Sequence, residues 1–192
     1  MKKSTYLFVV ALFSIASFAQ TTWNVDPMHS FLNFSVKHMG ISFVDGKFDK
    51  YEGVYNGTSD DLTKGVFKFS IDAKSINTGI EMRDQHLTSP DFFDVEKYGQ
   101  LNFESTKITK VKGSENQYKL VGFITIKDIK KPITFDLTYG GHLADDGNGL
   151  QRMGIQAKAT LNRFDFGIAY DPSATAIAKD ITLNINLEFT AK

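Results

Sequence analysis

From Ile181 to Thr190 every second residue is apolar. Ile181, Leu183, Ile185, Leu187 and Phe189 alternate with Thr182, Asn184, Asn186, Glu188 and Thr190. Side chains along a strand point to opposite faces in turn, so this segment reads as a strand with one apolar face and one wet face. The rhythm recurs. Ile133, Phe135, Leu137 and Tyr139 stand against Thr134, Asp136 and Thr138, and Phe67, Phe69 and Ile71 against Lys68, Ser70 and Asp72. Ile155, Ala157, Ala159 and Leu161 form another such row. Little of the chain has helical periodicity that could cover a sheet. A one-sided sheet without helical cover packs on a second sheet or closes on itself. Closure would make the apolar face the lining of a container, and the function then expected is to hold something greasy.

Eight strands are expected, near residues 29–38, 47–55, 65–73, 101–110, 117–127, 132–143, 152–163 and 181–190. Polar turns separate them, among them Asn56-Gly57, Lys112-Gly113-Ser114-Glu115-Asn116 and Asp145-Asp146-Gly147-Asn148-Gly149. Short strands joined in this way suggest an antiparallel meander. Segments 47–55 and 117–127 carry bulky residues on both faces. One interval breaks the pattern, between the third and fourth strands. Thr78-Gly79-Ile80-Glu81 fits a capping box, and Ile80, Arg83, Asp84 and Leu87 follow at helical spacing. Ser89-Pro90 then reads as a second helix start, opening Asp91-Phe92-Phe93-Asp94. This insertion could cover one mouth of a barrel or pack on its outside.

Residues 1–19 read as a signal peptide. Lys2 and Lys3 precede an apolar run from Tyr6 to Phe13, and Ser17-Phe18-Ala19 offers small residues at the positions a signal peptidase reads. The run is short for a membrane span, and no cysteine is present for a lipid anchor, so a soluble periplasmic or secreted protein is expected. Removing those residues leaves two fewer basic than acidic side chains. That balance argues against nucleic acid as a partner. Without cysteine there are no disulfides, and stability must come from the core. Residues 20–192 are long enough to build one core, and 17 Phe and seven Tyr supply its bulk. Transient contact with a membrane and a homodimer are both compatible with such a chain.

No catalytic motif stands out. The four histidines, His29, His38, His86 and His142, lack a paired metal-ligand spacing, so no metal and no cofactor is expected. Asp26, His29 and His86 could still meet in space as a metal site. A serine nucleophile is disfavoured, because His29 and Ser30 would point to opposite faces of a strand. Arg83-Asp84-Gln85-His86-Leu87 gathers ionisable groups within one turn. They suit a polar rim for the head of an amphiphile, Arg being apt for phosphate or carboxylate, or a set of structural pairs fixing the helix. Arg163 has the same two readings, with a tie between strand end and loop the simpler.

An ordered set of stretches runs along the chain: Trp23-Asn24-Val25-Asp26-Pro27-Met28-His29-Ser30, Phe34-Ser35-Val36-Lys37-His38-Met39-Gly40, Gly46-Lys47-Phe48 and Ser75-Ile76-Asn77-Thr78. Arg83-Asp84-Gln85-His86-Leu87, Phe103-Glu104-Ser105-Thr106 and Asn162-Arg163-Phe164-Asp165-Phe166-Gly167 continue it. In these the chain resembles the YceI-like family of exported, lipocalin-like, polyisoprenoid-binding proteins. The resemblance implies an eight-stranded antiparallel barrel with an elongated apolar cavity for an isoprenoid tail or another long-chain amphiphile.

On that reading the inward faces of the strands line the cavity. The lining would comprise Phe34, Val36, Phe67, Phe69, Ile71, Phe103, Phe135, Leu137, Ile155, Leu161, Ile185 and Leu187, with His29, Arg83 and His86 at the polar end. Two rivals differ in class. One is a hydrolase or isomerase acting on an amphiphile through His29, Arg83, Asp84 and His86. The other is a filled barrel with no cavity, acting as an interaction module.

Overall fold

A computed structural model describes residues 21–192. Its strands are β1 (Thr21–Val25), β2 (Phe31–His38), β3 (Ser42–Phe48), β4 (Tyr51–Gly57), β5 (Val66–Asp72), β6 (Ile76–Asn77), β7 (Gln100–Lys110), β8 (Gln117–Ile126), β9 (Ile129–Leu143), β10 (Gln151–Asn162) and β11 (Ile177–Ala191). One α-helix, α1 (Glu81–Thr88), lies between β6 and β7. The proposed signal peptide falls outside the described residues.

The sheet closes into an eight-stranded antiparallel barrel. β5, β7, β8, β9, β10 and β11 pair in sequence order. β11 then pairs with β2 over residues 177–186 and with β1 at Phe189 and Thr190, so β1 and β2 are two halves of one wall strand. β3 and β4 are likewise halves of the next, β3 pairing with β2 and β4 with both β1 and β5. Counting each broken strand once gives the eight that the sequence suggests. Closure through β1 and β4 removes the unpaired edges there, while β3 is paired on its far side only at Lys47 and Phe48, to β6.

Both breaks have local causes and lie side by side. Pro27 has no N–H to give a ladder, and the Asp26 carboxylate accepts from the N–H of Met28 to start a single 3₁₀ turn over Pro27–His29. Ser30, 3% exposed, stitches that gap: its Oγ donates to the Glu188 carbonyl and accepts from the Glu188 N–H at 2.9 Å. At the second break Ser75 accepts from the N–H groups of Asp49, through its carbonyl, and Lys50, through its Oγ. The Tyr51 hydroxyl donates to the Ser30 carbonyl at 2.6 Å and ties the two breaks together.

Each break shifts the alternation by one residue. The inward positions run Trp23 and then Leu32, Phe34 and Val36, and in the next strand Val44, Gly46 and Phe48 and then Gly53 and Tyr55. A one-residue slip exchanges the faces of everything beyond it. This corrects two sequence-based spans. The strand expected over 47–55 straddles the break at Asp49 and Lys50, and the one expected from residue 29 begins at Phe31, while β1 was not anticipated.

The insertion also differs in detail. Ile80 occupies the N-cap of α1 and makes no side-chain cap bond. Asp84, not Glu81, reaches back, accepting from the N–H of Thr78 at 2.9 Å and from its hydroxyl. Residues 90–93 form turns, not a second helix.

One end of the barrel is packed shut. Trp23, Tyr55, Phe67, Phe189 and Leu62 are at most 2% exposed there. The Tyr55 ring stacks on Phe67 at 4.5 Å between centroids, and Phe67 meets Phe189 at 5.8 Å. The short turn Leu62–Lys64 lays Leu62 into the same cluster.

Candidate functional site: an apolar cavity open at the helical end

Above that plug the barrel is hollow. The cavity measures about 510 Å³, within the roughly 300–1,000 Å³ typical of small-molecule sites. Twelve aliphatic and aromatic positions expected from alternation all line it: Phe34, Val36, Phe67, Phe69, Ile71, Phe103, Phe135, Leu137, Ile155, Leu161, Ile185 and Leu187. A barrel filled throughout by side chains is therefore not what this sequence builds.

The mouth lies beside α1. Arg83, His86 and Leu87 of the helix join Lys37, His38 and Val44 of the β2–β3 hairpin and Tyr170 of the loop before β11. The insertion thus covers part of the mouth. Arg83 is held by its own neighbour, Nε donating to the Thr78 hydroxyl at 2.7 Å and Nη2 to the Thr78 carbonyl at 2.9 Å. It forms no ion pair with any described residue, and its Nη1 makes no hydrogen bond among them. His86 is tied to Asp91 at 2.9 Å and packs edge-on against Phe92 and Tyr170.

The charge at the site has one sign. Lys37, Arg83 and Arg163 line the cavity together with His38 and His86, and among the described residues no Asp or Glu does. An anionic head at the mouth would meet Lys37 and Arg83, while Asp84 and Asp91, bonded to the lining residues Thr78 and His86, do not themselves line the cavity.

Arg163 is a different case from Arg83. It is 3% exposed, and its five N–H donors go to the carbonyls of Ala178, Ile168, Tyr170, Asp171 and Ile177, at 2.6–3.1 Å. It therefore ties the end of β10 to the loop before β11, and has no donor left for a ligand. Asp171 fastens the same loop by accepting from the N–H groups of Ile177 and Ala176. Those bonds, with that from the Ser173 hydroxyl, hold its carboxyl below the usual carboxylate range. Its contribution to stability is complete above the unfolded value of about 4 and is lost as pH falls through the depressed one.

His29 is the exception among the expected site residues. It does not line the cavity but sits half-exposed at the break between β1 and β2, with Nδ1 2.9 Å from Asp26. Asp26 also meets Arg152, which in turn bonds Glu188 and Asp146. Asp26, His29 and Glu188 come close enough to share an ion, but the Arg152 guanidinium already bonds both carboxylates. The grouping of Asp26, His29 and His86 does not form. His29 does not join Arg83, Asp84 and His86: it pairs with Asp26 at the break between β1 and β2, whereas Arg83 and Asp84 both bond Thr78 and His86 bonds Asp91.

Alternation in the sequence also missed lining residues. Phe48 fell in the misplaced span, and Leu120, Ile124 and Ile126 lie on the strand with bulk on both faces. Phe92, Phe93 and Ile168 come from turns, where no period marks the inward side. Phe123 explains the ambiguity of β8: it points outward and carries Lys130 over its ring at 4.7 Å.

A closed antiparallel barrel, plugged at one end and hollow behind a cationic mouth, defines a lipocalin-like cavity protein. The chain belongs to the YceI-like domain family, which matches residues 23–189. A UPF0312 protein of Staphylococcus aureus (strain N315) is 33% identical over 174 residues, covering 88% of this chain and 98% of the relative. The YCEI protein of Campylobacter jejuni superposes with a TM-score of 0.74 at 31% identity, covering 81% of this chain and 90% of its own. A polyisoprenoid binding domain from Saccharophagus degradans shares the fold, with a TM-score of 0.69 at 17% identity over 90% of this chain and 99% of that one.

Proposed function

We propose that the protein is an exported carrier that holds a long isoprenoid or similar amphiphile, tail in the barrel and anionic head at the mouth. The observation that carries this is the cavity itself: about 510 Å³ with an apolar lining in which the charged side chains, among the described residues, are cationic. The Saccharophagus degradans domain, described as polyisoprenoid binding, supports the tail chemistry. Burial of a chain from water is worth about 0.8 kcal/mol per CH₂. A bilayer offers the same tail an equally apolar home, so exchange with membrane is near balance, which favours transport or buffering over irreversible capture. Met39, Ile41 and Phe43 on the hairpin and Ile80 and Met82 by the helix are all more than half exposed beside the mouth. They support transient contact with a membrane surface during loading, and a second copy is the alternative cover for the same side chains.

Lipid extraction and mass spectrometry of protein purified from its native host should find a long-chain amphiphile near one per chain. Arg83→Ala should then weaken binding of anionic chains by about tenfold, the scale of one charge-assisted hydrogen bond, and leave the matching alcohols unchanged. No lipid in the native protein and none taken up in titration would overturn the carrier reading. Export rests on Lys2, Lys3 and Ser17-Phe18-Ala19. N-terminal sequencing of the mature protein should begin at Gln20, and finding Met1 on cytoplasmic protein would contradict it.

A further inference from the structure

Three aromatic rings of the cavity wall lie where a neighbouring glycine's Cβ would be. An ideal Cβ on Gly53 would stand 2.2 Å from Phe69 Cε1 and 2.6 Å from its Cδ1 and Cζ. One on Gly46 would stand 2.3 Å from Phe34 Cζ and 2.9 Å from the Thr78 methyl. One on Gly122 would meet the Phe103 ring at 2.7 Å and the Glu104 carbonyl at 2.4 Å. Gly46 and Gly53 are the direct cross-strand partners of Phe34 and Phe69. None of the three glycines has a positive φ. Turn geometry therefore does not explain them, and the room they leave does. A glycine inside a strand costs backbone entropy and gives up side-chain packing, so a ring laid over it is a recognisable compensation.

The ladder fixes where the strain of any added Cβ goes. Gly46 and Gly53 are laddered to Phe34 and Phe69 on one side and lie one residue from a second ladder, at the pairs Lys47–Asn77 and Asn24–Val54, while the colliding atoms at Gly53 are all at the end of a side chain. The ring yields before the wall does, and the open space before it is the cavity that Phe34 and Phe69 already line. We infer that Gly46 and Gly53 set the bore of the cavity by seating Phe34 and Phe69 flat against the wall, and so admit methyl-branched chains as well as straight ones. This rests on the carrier reading for its ligand, though not for its geometry.

Phytanic acid and palmitic acid make the test, since they share head group and main-chain length and differ only in methyl branches. The parent should bind both in titration. Gly53→Ala and, separately, Gly46→Ala should lose phytanic acid by about tenfold or more relative to palmitic acid, the discrimination that a methyl group commands in a tight apolar site. Adding Phe69→Leu to Gly53→Ala should restore the parent's ratio, and a crystal structure of Gly53→Ala should show the Phe69 ring standing in the cavity. An unchanged ratio in both single variants, or a ring still on the wall with the strands spread, would overturn the inference. If the parent binds neither acid, the ring's position in the variant crystal still decides what the glycines do, and the carrier reading is decided separately by the lipid found in the native protein.

Discussion

Arg163→Met is expected to lower the free energy of unfolding by about 3–5 kcal/mol, one of the largest effects of any single substitution in this chain. Five carbonyls now receive N–H donors from one guanidinium. Methionine matches the length of the stem but offers no donor, so acceptors within the fold go unpaired. Each costs about 1–3 kcal/mol where water cannot reach it, and those nearer the surface, such as that of Tyr170, recover part of the loss from solvent. For a domain of this size the change corresponds to a melting temperature lower by roughly 6–20 °C. Arg163→Lys should fall between, since an ammonium reaches at most three of the five. Urea unfolding checks both, with the slope confirming that the same surface is exposed. A loss below about 1 kcal/mol for the methionine variant would mean that the loop before β11 stands without this tie.

Leu187→Trp should abolish lipid uptake while costing less than about 1.5 kcal/mol. Leu187 lines the cavity beside its cross-strand partner Ile155, and the added indole has open space ahead of it. Ala73→Leu provides the contrast. Ala73 is fully buried and outside the cavity lining, so added bulk there must push on packed neighbours, typically costing about 1–3 kcal/mol. Ligand titration and the denaturant midpoint are measured together on both. Loss of stability in Leu187→Trp equal to that in Ala73→Leu would show that no usable space exists at Leu187. Full retention of lipid would show that the chain does not reach so deep.

The cavity wall was legible in the sequence because period-two alternation is a local property. Phe67, Phe69, Ile71, Phe135, Leu137, Ile185 and Leu187 needed only their immediate neighbours to declare their face. What defeated the reading was every place where the period slips. Pro27 and the Asp49-Lys50 break each shift it by one, which hid β1 and misplaced Phe48. His29 was lost the same way, lying inside a break and so belonging to neither face of a strand. For Arg83 and His86 the sequence leaves two readings open, a polar rim or structural pairs, because a helical period shows which residues share a face and not what that face meets. The role of Arg163 lay beyond sequence reasoning. Its five acceptors are spread from Ile168 to Ala178 and are backbone groups, which leave no trace in side-chain chemistry. The glycine seats were equally silent, because residues such as Gly53 and Phe69 meet only across a register that the chain does not spell out.

The paired breaks divide the wall into two tiers with different obligations. Below them β1 bridges β4 and β11 and keeps the circle complete, with the aromatic plug as its floor. Above them β2 and β3 form a hairpin held by β11 on one side and by the two residues of β6 on the other. Parting the upper tier from β6 gives up little pairing, and the lower circle has no part in it. A vessel with an unbroken wall could admit a long chain only through a fixed aperture. Here two residues of pairing hold the far side of the lip and a complete ladder closes the base, so the entrance and the floor are built from different residues.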